Sequence, residues 1–138
     1  MMERKIRGSI ICTTSIAATV AGCAGHDYTA SKHGLLGLVR SACGELGAYG
    51  IRVNSISPYL VGTPLACSEK NIEVSEVEAV GIDSSNLKGI TLKTTHIADA
   101  ALFLASEESS YISGHNLVVD GGFSVIKGIF HKINDFYL

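Results

Sequence analysis

Tyr28 and Lys32 are the residues whose types and spacing could do chemistry. They sit four apart at the start of an apolar-periodic run, so in a helix their side chains share one face. A free tyrosine ionises near pH ~10 and is a poor base at neutral pH. A neighbouring ammonium favours phenolate over phenol. Such a pair can take a proton from an alcohol or return one to a carbonyl. The same spacing also arises on ordinary solvated helix faces, so the surrounding elements decide what the pair is for.

Residues 8–13 form a short run without charge, Ser9-Ile10-Ile11-Cys12-Thr13 after Gly8. A strand buried on both faces has this pattern, as parallel strands do. Residues 14–27, rich in small side chains with Gly22 and Gly25, read as an irregular loop at that strand's carboxyl end. Open α/β sheets bind ligands at that edge. Residues 28–49 carry Leu35, Leu38/Val39, Ala42 and Leu46 at helical spacing. Gly34 and Gly37 lower helix propensity and are expected to admit close approach of another element. Residues 51–57 read as a second strand stopped by Pro58. Strand, helix and strand make a βαβ unit with a right-handed crossover expected. Residues 59–66 then form a second loop at the same edge.

Residues 67–86 are acidic, with Glu69, Glu73, Glu76, Glu78 and Asp83. They suit a short helix or a flap, either a lid over a substrate or a solvated excursion. Residues 94–106 are helical again, with Thr94 or Thr95 as cap and Asp99 near the positive end. Ile97, Ala101, Leu104 and Ala105 mark its buried face. Residues 117–119 are a third buried strand, between Gly114 and Asp120-Gly121-Gly122. In the tail, Ile126, Ile129/Phe130 and Ile133 recur at helical spacing, weakened by Gly128, and suit docking on a partner subunit or fraying. The fold class is α/β: about three parallel strands with flanking helices, like the second half of a doubly wound sheet. Residues 1–138 make a single partial domain.

The bulk numbers agree. With 138 residues, 46% hydrophobic and 17% charged, the chain is about one domain long and can pack a core. A net charge of −2 without a basic stripe argues against nucleic acid. Cys12, Cys23, Cys43 and Cys67 show no Cys-x-x-Cys pair and read as small apolar residues in a reducing, cytoplasmic setting. The histidines are scattered, so no metal is expected. Residues 1–7 are basic and 9–25 small and apolar, and Val20-Ala21-Gly22-Cys23 looks like a lipoprotein cleavage box. Against export stand Thr13, Thr14, Ser15, Thr19 and the lack of leucine there. No run of ~18 apolar residues exists, so no membrane span is expected.

These residues together resemble the short-chain dehydrogenase/reductase family. Ser15, Tyr28 and Lys32 reproduce its Ser…Tyr-x-x-x-Lys signature at the usual spacing. Ile51-Arg52-Val53-Asn54-Ser55-Ile56-Ser57-Pro58 looks like the strand and loop after the catalytic helix. Ser113-Gly114 through Asp120-Gly121-Gly122 resembles the last strand and closing turn. The loop Ser57-Pro58-Tyr59-Leu60-Val61-Gly62-Thr63-Pro64-Leu65 and Asn86-Leu87-Lys88-Gly89 are similar to plant enzymes of the secoisolariciresinol dehydrogenase type.

The resemblance implies a Rossmann-like fold and an NAD-dependent oxidoreductase, with NADP left open. Hydride would pass between a secondary alcohol or ketone and the nicotinamide. Tyr28 would be the general acid/base. Lys32 would assist it and hydrogen-bond the nicotinamide ribose. Ser15 would hold the substrate oxygen, with Thr14 as the fallback. Pro58, Val61 and Thr63 match the loop that meets the nicotinamide carboxamide. Arg52 and Asn54 are assigned to structure, Asp120 to a turn or subunit contact, and His26 to an exposed loop or the pocket edge. A homo-oligomer, dimer or tetramer, is expected for the full domain.

No G-x-G-x-x-G turn is present to cradle a pyrophosphate. The expectation is that the dinucleotide-binding half lies upstream and that this chain alone is inactive or nearly so. The alternative function is then a non-catalytic fragment that keeps the catalytic helix and the oligomer surfaces.

Overall fold

The computed structural model describes residues 1–126. Three strands, β1 (Gly8–Thr13), β2 (Ile51–Pro58) and β3 (Asn116–Val119), form one sheet in the order β1-β2-β3, with both pairings parallel. The register sets Gly8 opposite Ile51 and Thr13 opposite Ile56, and Pro58 opposite Val119. All three carboxyl ends therefore lie at one edge of the sheet.

The central strand is the core. Ile51, Val53, Asn54, Ser55, Ile56 and Ser57 on β2 are buried, whereas β1 and β3 are mostly half-buried. Among the described residues β1 bonds to β2 alone, so its outer edge is open.

Between β1 and β2 runs α1 (His26–Leu46), which packs on β2. It begins two residues before Tyr28, with Asp27 in the first turn where the helix dipole favours negative charge. Leu36 and Val39 are its buried residues, while Leu38 is 61% exposed. Of the expected pair Leu38/Val39 it is Val39 that turns inward, and Leu36 joins it. Among the described residues no element approaches Gly34 or Gly37, and a Cβ on either would meet nothing within 4 Å.

After β2 the expected loop is cut short by α2 (Pro64–Lys70), followed by α3 (Val74–Ser84). The cause is local. Thr63 is an N-cap whose Oγ1 accepts from Ala66 N at 3.3 Å, and Pro64 opens the helix, where a missing N–H costs nothing. The acidic excursion is therefore helical over most of its length.

Helix α4 (Thr94–Ala105) packs against all three strands. Its cap is Lys93 and not a threonine: the Lys93 N–H donates to His96 Nδ1 at 2.9 Å. Leu104 is fully buried, but Ala105 is exposed. Arg52 holds this helix by its far end. Its guanidinium donates to the carbonyls of Leu104 in the last turn at 2.9 Å and of Ser106 just past the helix at 3.1 Å. Asn54 is structural too, donating to Ile112 O at 2.8 Å and accepting from His115 N at 3.0 Å.

Asp120 closes the turn after β3, its carboxylate accepting from Gly122 N at 2.9 Å and Ser124 N at 2.7 Å at the start of α5 (Phe123–Ile126). The tail positions Ile129, Phe130 and Ile133 lie outside the described residues. The four cysteines are unpaired and half-buried. The stretch 9–25, whose composition suggested export, builds β1 and the loop beyond it. Among the described residues no helix is long and apolar enough to cross a membrane.

Candidate active site

Because β1 and β2 are parallel, the loops that follow them emerge side by side. Between these loops and the first turns of α1 lies a cavity of about 520 Å³. Ser15, Tyr28, Lys32, Pro58, Val61 and Thr63 all line it. Residues spread over forty-nine positions of sequence thus converge on one space.

Tyr28 and Lys32 are half-buried on successive turns of α1. Lys32 Nζ lies 5.3 Å from the centroid of the Tyr28 ring and donates to Thr13 O at 3.1 Å. That second bond ties α1 to the end of β1 and fixes where the ammonium sits. Lys32 is the single charged residue among those described that line the cavity.

Ser15 and Thr14 separate cleanly. Ser15 Oγ accepts from Ala17 N at 3.2 Å, capping a short 3-10 turn over Ile16–Ala18. Its hydroxyl proton remains available to a ligand. Thr14 also borders the cavity, but it is 2% exposed and its hydroxyl faces the protein: Ile56 O lies at 3.0 Å and Ser57 Oγ at 2.6 Å. Ser57 and Ser55 in turn donate to Asn116 Oδ1 at 2.7 and 2.9 Å. Thr14 belongs to this buried network beneath the site.

Val61 is 8% exposed and Pro58 half-buried. The Thr63 hydroxyl accepts its capping bond, so its own proton is free to donate. His26 is exposed and lines no part of the cavity. Sequence reasoning missed much of the wall, notably Cys23, Tyr59, Leu60, Leu65, Thr94 and Ile97. Leu65 could have been found, since Thr63-Pro64 is a helix-start signal that places the next residue on a first turn. Thr94 and Ile97 carried only the pattern of a core helix. Among the described residues no three His, Cys, Asp or Glu side chains gather where a metal could be held.

The chain is similar to known proteins over nearly its whole length. The family model described as Enoyl-(Acyl carrier protein) reductase matches residues 1–124. Short-chain dehydrogenase reductase 3b of Arabidopsis thaliana is 61% identical over 127 residues, covering 92% of this chain and 49% of that protein. Momilactone A synthase of Oryza sativa subsp. japonica is 51% identical over 130 residues, covering 94% and 47%. Among solved structures, levodione reductase superimposes with a TM-score of 0.77 at 29% identity, covering 91% of this chain and 49% of that one. A gluconate 5-dehydrogenase from Burkholderia cenocepacia, solved with NADP and tartrate, gives 0.76 at 25% identity, covering 90% and 47%. The chain spans about half the length of the curated relatives it matches. Its strand order, its Ser15, Tyr28 and Lys32 around one cavity, and these likenesses carry one conclusion: the chain belongs to the short-chain dehydrogenase/reductase family.

Proposed function

We propose that the cavity is the site of an oxidoreductase that interconverts a secondary alcohol and a ketone with a nicotinamide cofactor. The observation that carries this reading is the convergence of Ser15, Tyr28 and Lys32 on one cavity at the carboxyl edge of the strands. In the oxidative direction Ser15 holds the substrate oxygen through its free hydroxyl proton. Tyr28 takes the hydroxyl proton as the carbon–hydrogen bond breaks, and returns it in the reverse direction. Lys32, held by Thr13 O, keeps a positive charge beside the ring when the phenol loses its proton. A bound nicotinamide would supply the acceptor or donor of hydride.

The residues present fit the nicotinamide end of such a cofactor. Pro58 and Val61 offer an apolar surface for a flat ring, and Thr63 has a hydroxyl proton to donate to a carboxamide. Lys32 reaches the same space for a ribose hydroxyl. NAD and NADP are equally compatible with these residues, and two structural neighbours were solved with NADP and with NADH. None of the 138 residues forms a G-x-G-x-x-G turn, so a pyrophosphate has no such cradle within this stretch. That favours a second reading, in which these residues alone keep the site but do not turn over. The complete protein is proposed to be a homo-oligomer, for which α1 offers the exposed Leu38 beside Gly34 and Gly37.

The test is turnover of a panel of secondary alcohols and ketones, read by nicotinamide absorbance. It is run on the 138-residue chain and on a version extended to the length of its relatives. Tyr28→Phe is expected to lower kcat by roughly 10²–10⁴-fold, and Ser15→Ala by roughly 10²–10³-fold. Full activity in Tyr28→Phe ends the catalytic reading. Turnover by the short chain itself ends the second reading.

A further inference from the structure

Leu65 is 67% exposed, yet it lines the cavity. An apolar side chain left in water on a cavity wall gains when a ligand's apolar surface covers it. Its position is fixed, because the Thr63 cap and Pro64 set the first turn of α2 on which it stands. Leu60, Ala66, Ala24 and Cys23 continue the wall with side chains of low polarity. The polar groups are few, and the free ones, the Ser15 and Thr63 hydroxyls, stand where the reacting oxygen and a nicotinamide carboxamide are placed above. The ammonium of Lys32 is bonded to Thr13 O and stands beside the Tyr28 ring. Among the described residues no arginine, histidine or acid lines the cavity. A ligand carboxylate would find one cation, the Lys32 ammonium, already tied to Thr13 O and standing over the Tyr28 ring. The further hydroxyls of a polyol would face the Leu60, Leu65 and Ala66 wall and lose water there without gaining partners, and unpaired buried polar groups discriminate strongly.

We propose that this cavity selects a neutral, largely apolar alcohol or ketone with a single polar end, and that Leu65 sets that selectivity. The inference rests on the catalytic reading for the chemistry at Ser15 and Tyr28, but its own content is the class of molecule that binds. The polar end meets Ser15 and Tyr28, and the hydrocarbon body meets the wall that includes Leu65.

Saturation-transfer NMR on the purified chain tests it, with decalone as the apolar ketone and gluconate as the polar acid. Decalone is expected to bind and gluconate to show no transfer. Leu65→Ala should weaken decalone by roughly tenfold, the scale of removing hydrocarbon from a specificity pocket, and Leu65→Asp should weaken it further. Leu102→Ala, at a 69% exposed position on α4 away from the cavity, should leave binding unchanged. Circular dichroism confirms that each variant is folded. Equal binding of the two probes, binding of neither, or a Leu65→Asp variant that keeps decalone at full strength each overturns the inference. Selective decalone binding with no nicotinamide-linked turnover removes the catalytic reading and leaves this one standing.

Discussion

Thr14 Oγ1, one residue past the end of β1, and Ser57 Oγ on β2 lie 2.6 Å apart, both fully buried beneath the candidate site. The pair continues through Ser57 to Asn116 Oδ1 at 2.7 Å, so one chain of hydrogen bonds links the end of β1 to β2 and β3. Thr14→Val keeps the volume but removes one of the two hydrogen bonds at Ser57 Oγ, which still donates to Asn116 Oδ1. The expected loss is about 0.5–1.5 kcal/mol, the net worth of one hydrogen bond. Urea unfolding measures it as a lower midpoint. Thr14→Ser, which keeps the hydroxyl, should recover most of the loss. A Thr14→Val variant as stable as the parent would show that the network contributes nothing net.

Lys32 is argued to place a charge, not to transfer the proton itself. Lys32→Met removes both the ammonium and its tie to Thr13 O. In the protein that turns over, kcat should fall by roughly 10²-fold or more, on the scale of losing one preorganised electrostatic partner. Weaker nicotinamide binding should appear as a higher KM. Lys32→Arg keeps charge but not shape, because a planar fork cannot replace a point donor at one carbonyl. It is expected to recover only part of the activity. A Lys32→Met variant with unchanged kcat and KM would remove Lys32 from the site.

β1 and β3 were legible from short apolar runs, Ile10-Ile11-Cys12 and Leu117-Val118-Val119, and β2 from its stop at Pro58. That Ser15, Tyr28 and Lys32 would line one cavity was legible because Tyr28 and Lys32 share a helix and Ser15 lies two residues past the end of β1. What sequence could not supply was facing. Periodicity left Leu38 and Val39 open for one core position; Val39 fills it and Leu36 joins it, while Leu38 faces out, because one residue turns a helix by about 100°. Gly34 and Gly37 were read as contacts, but the described residues bring nothing near them. The cap of α4 was misplaced because His96, three residues on, accepts the Lys93 N–H that a threonine was expected to neighbour. Thr94 and Ile97 reach the cavity only through the packing of α4 on the sheet, which no local pattern reports.

Glu78 on α3 and Lys93 at the cap of α4 form an ion pair at 2.6 Å, with both carboxylate oxygens in reach of Nζ. The Glu78 side chain is 18% exposed and that of Lys93 50%, so solvent screens the pair and its worth is about 1 kcal/mol at most. Its consequence is local. Glu78 packs over Gly62, in the loop between Val61 and Thr63. Lys93→Ala is expected to leave the global midpoint nearly unchanged while speeding amide exchange along α3. High salt should do the same in the parent and less in the variant. Unaltered exchange in α3 would show that the pair does not hold this helix.

Gly114 joins the segment after α4 to β3, with φ +75° and its N–H donating to Val53 O at 2.7 Å. A Cβ there would stand 3.0 Å from Cys43 Sγ on α1. Gly114→Ala therefore meets two separate costs. A left-handed backbone disfavours any side chain, by roughly 1–3 kcal/mol, and the sulfur must also give way. The two can be told apart. Cys43→Ala combined with Gly114→Ala removes the contact but not the backbone strain, so the double variant should recover part of the loss and no more. Recovery to the stability of Cys43→Ala alone would place the whole cost in the contact. No loss in Gly114→Ala would mean that the turn relaxes to another conformation, which crystallography of the variant would reveal as a shifted Gly114–Val53 bond.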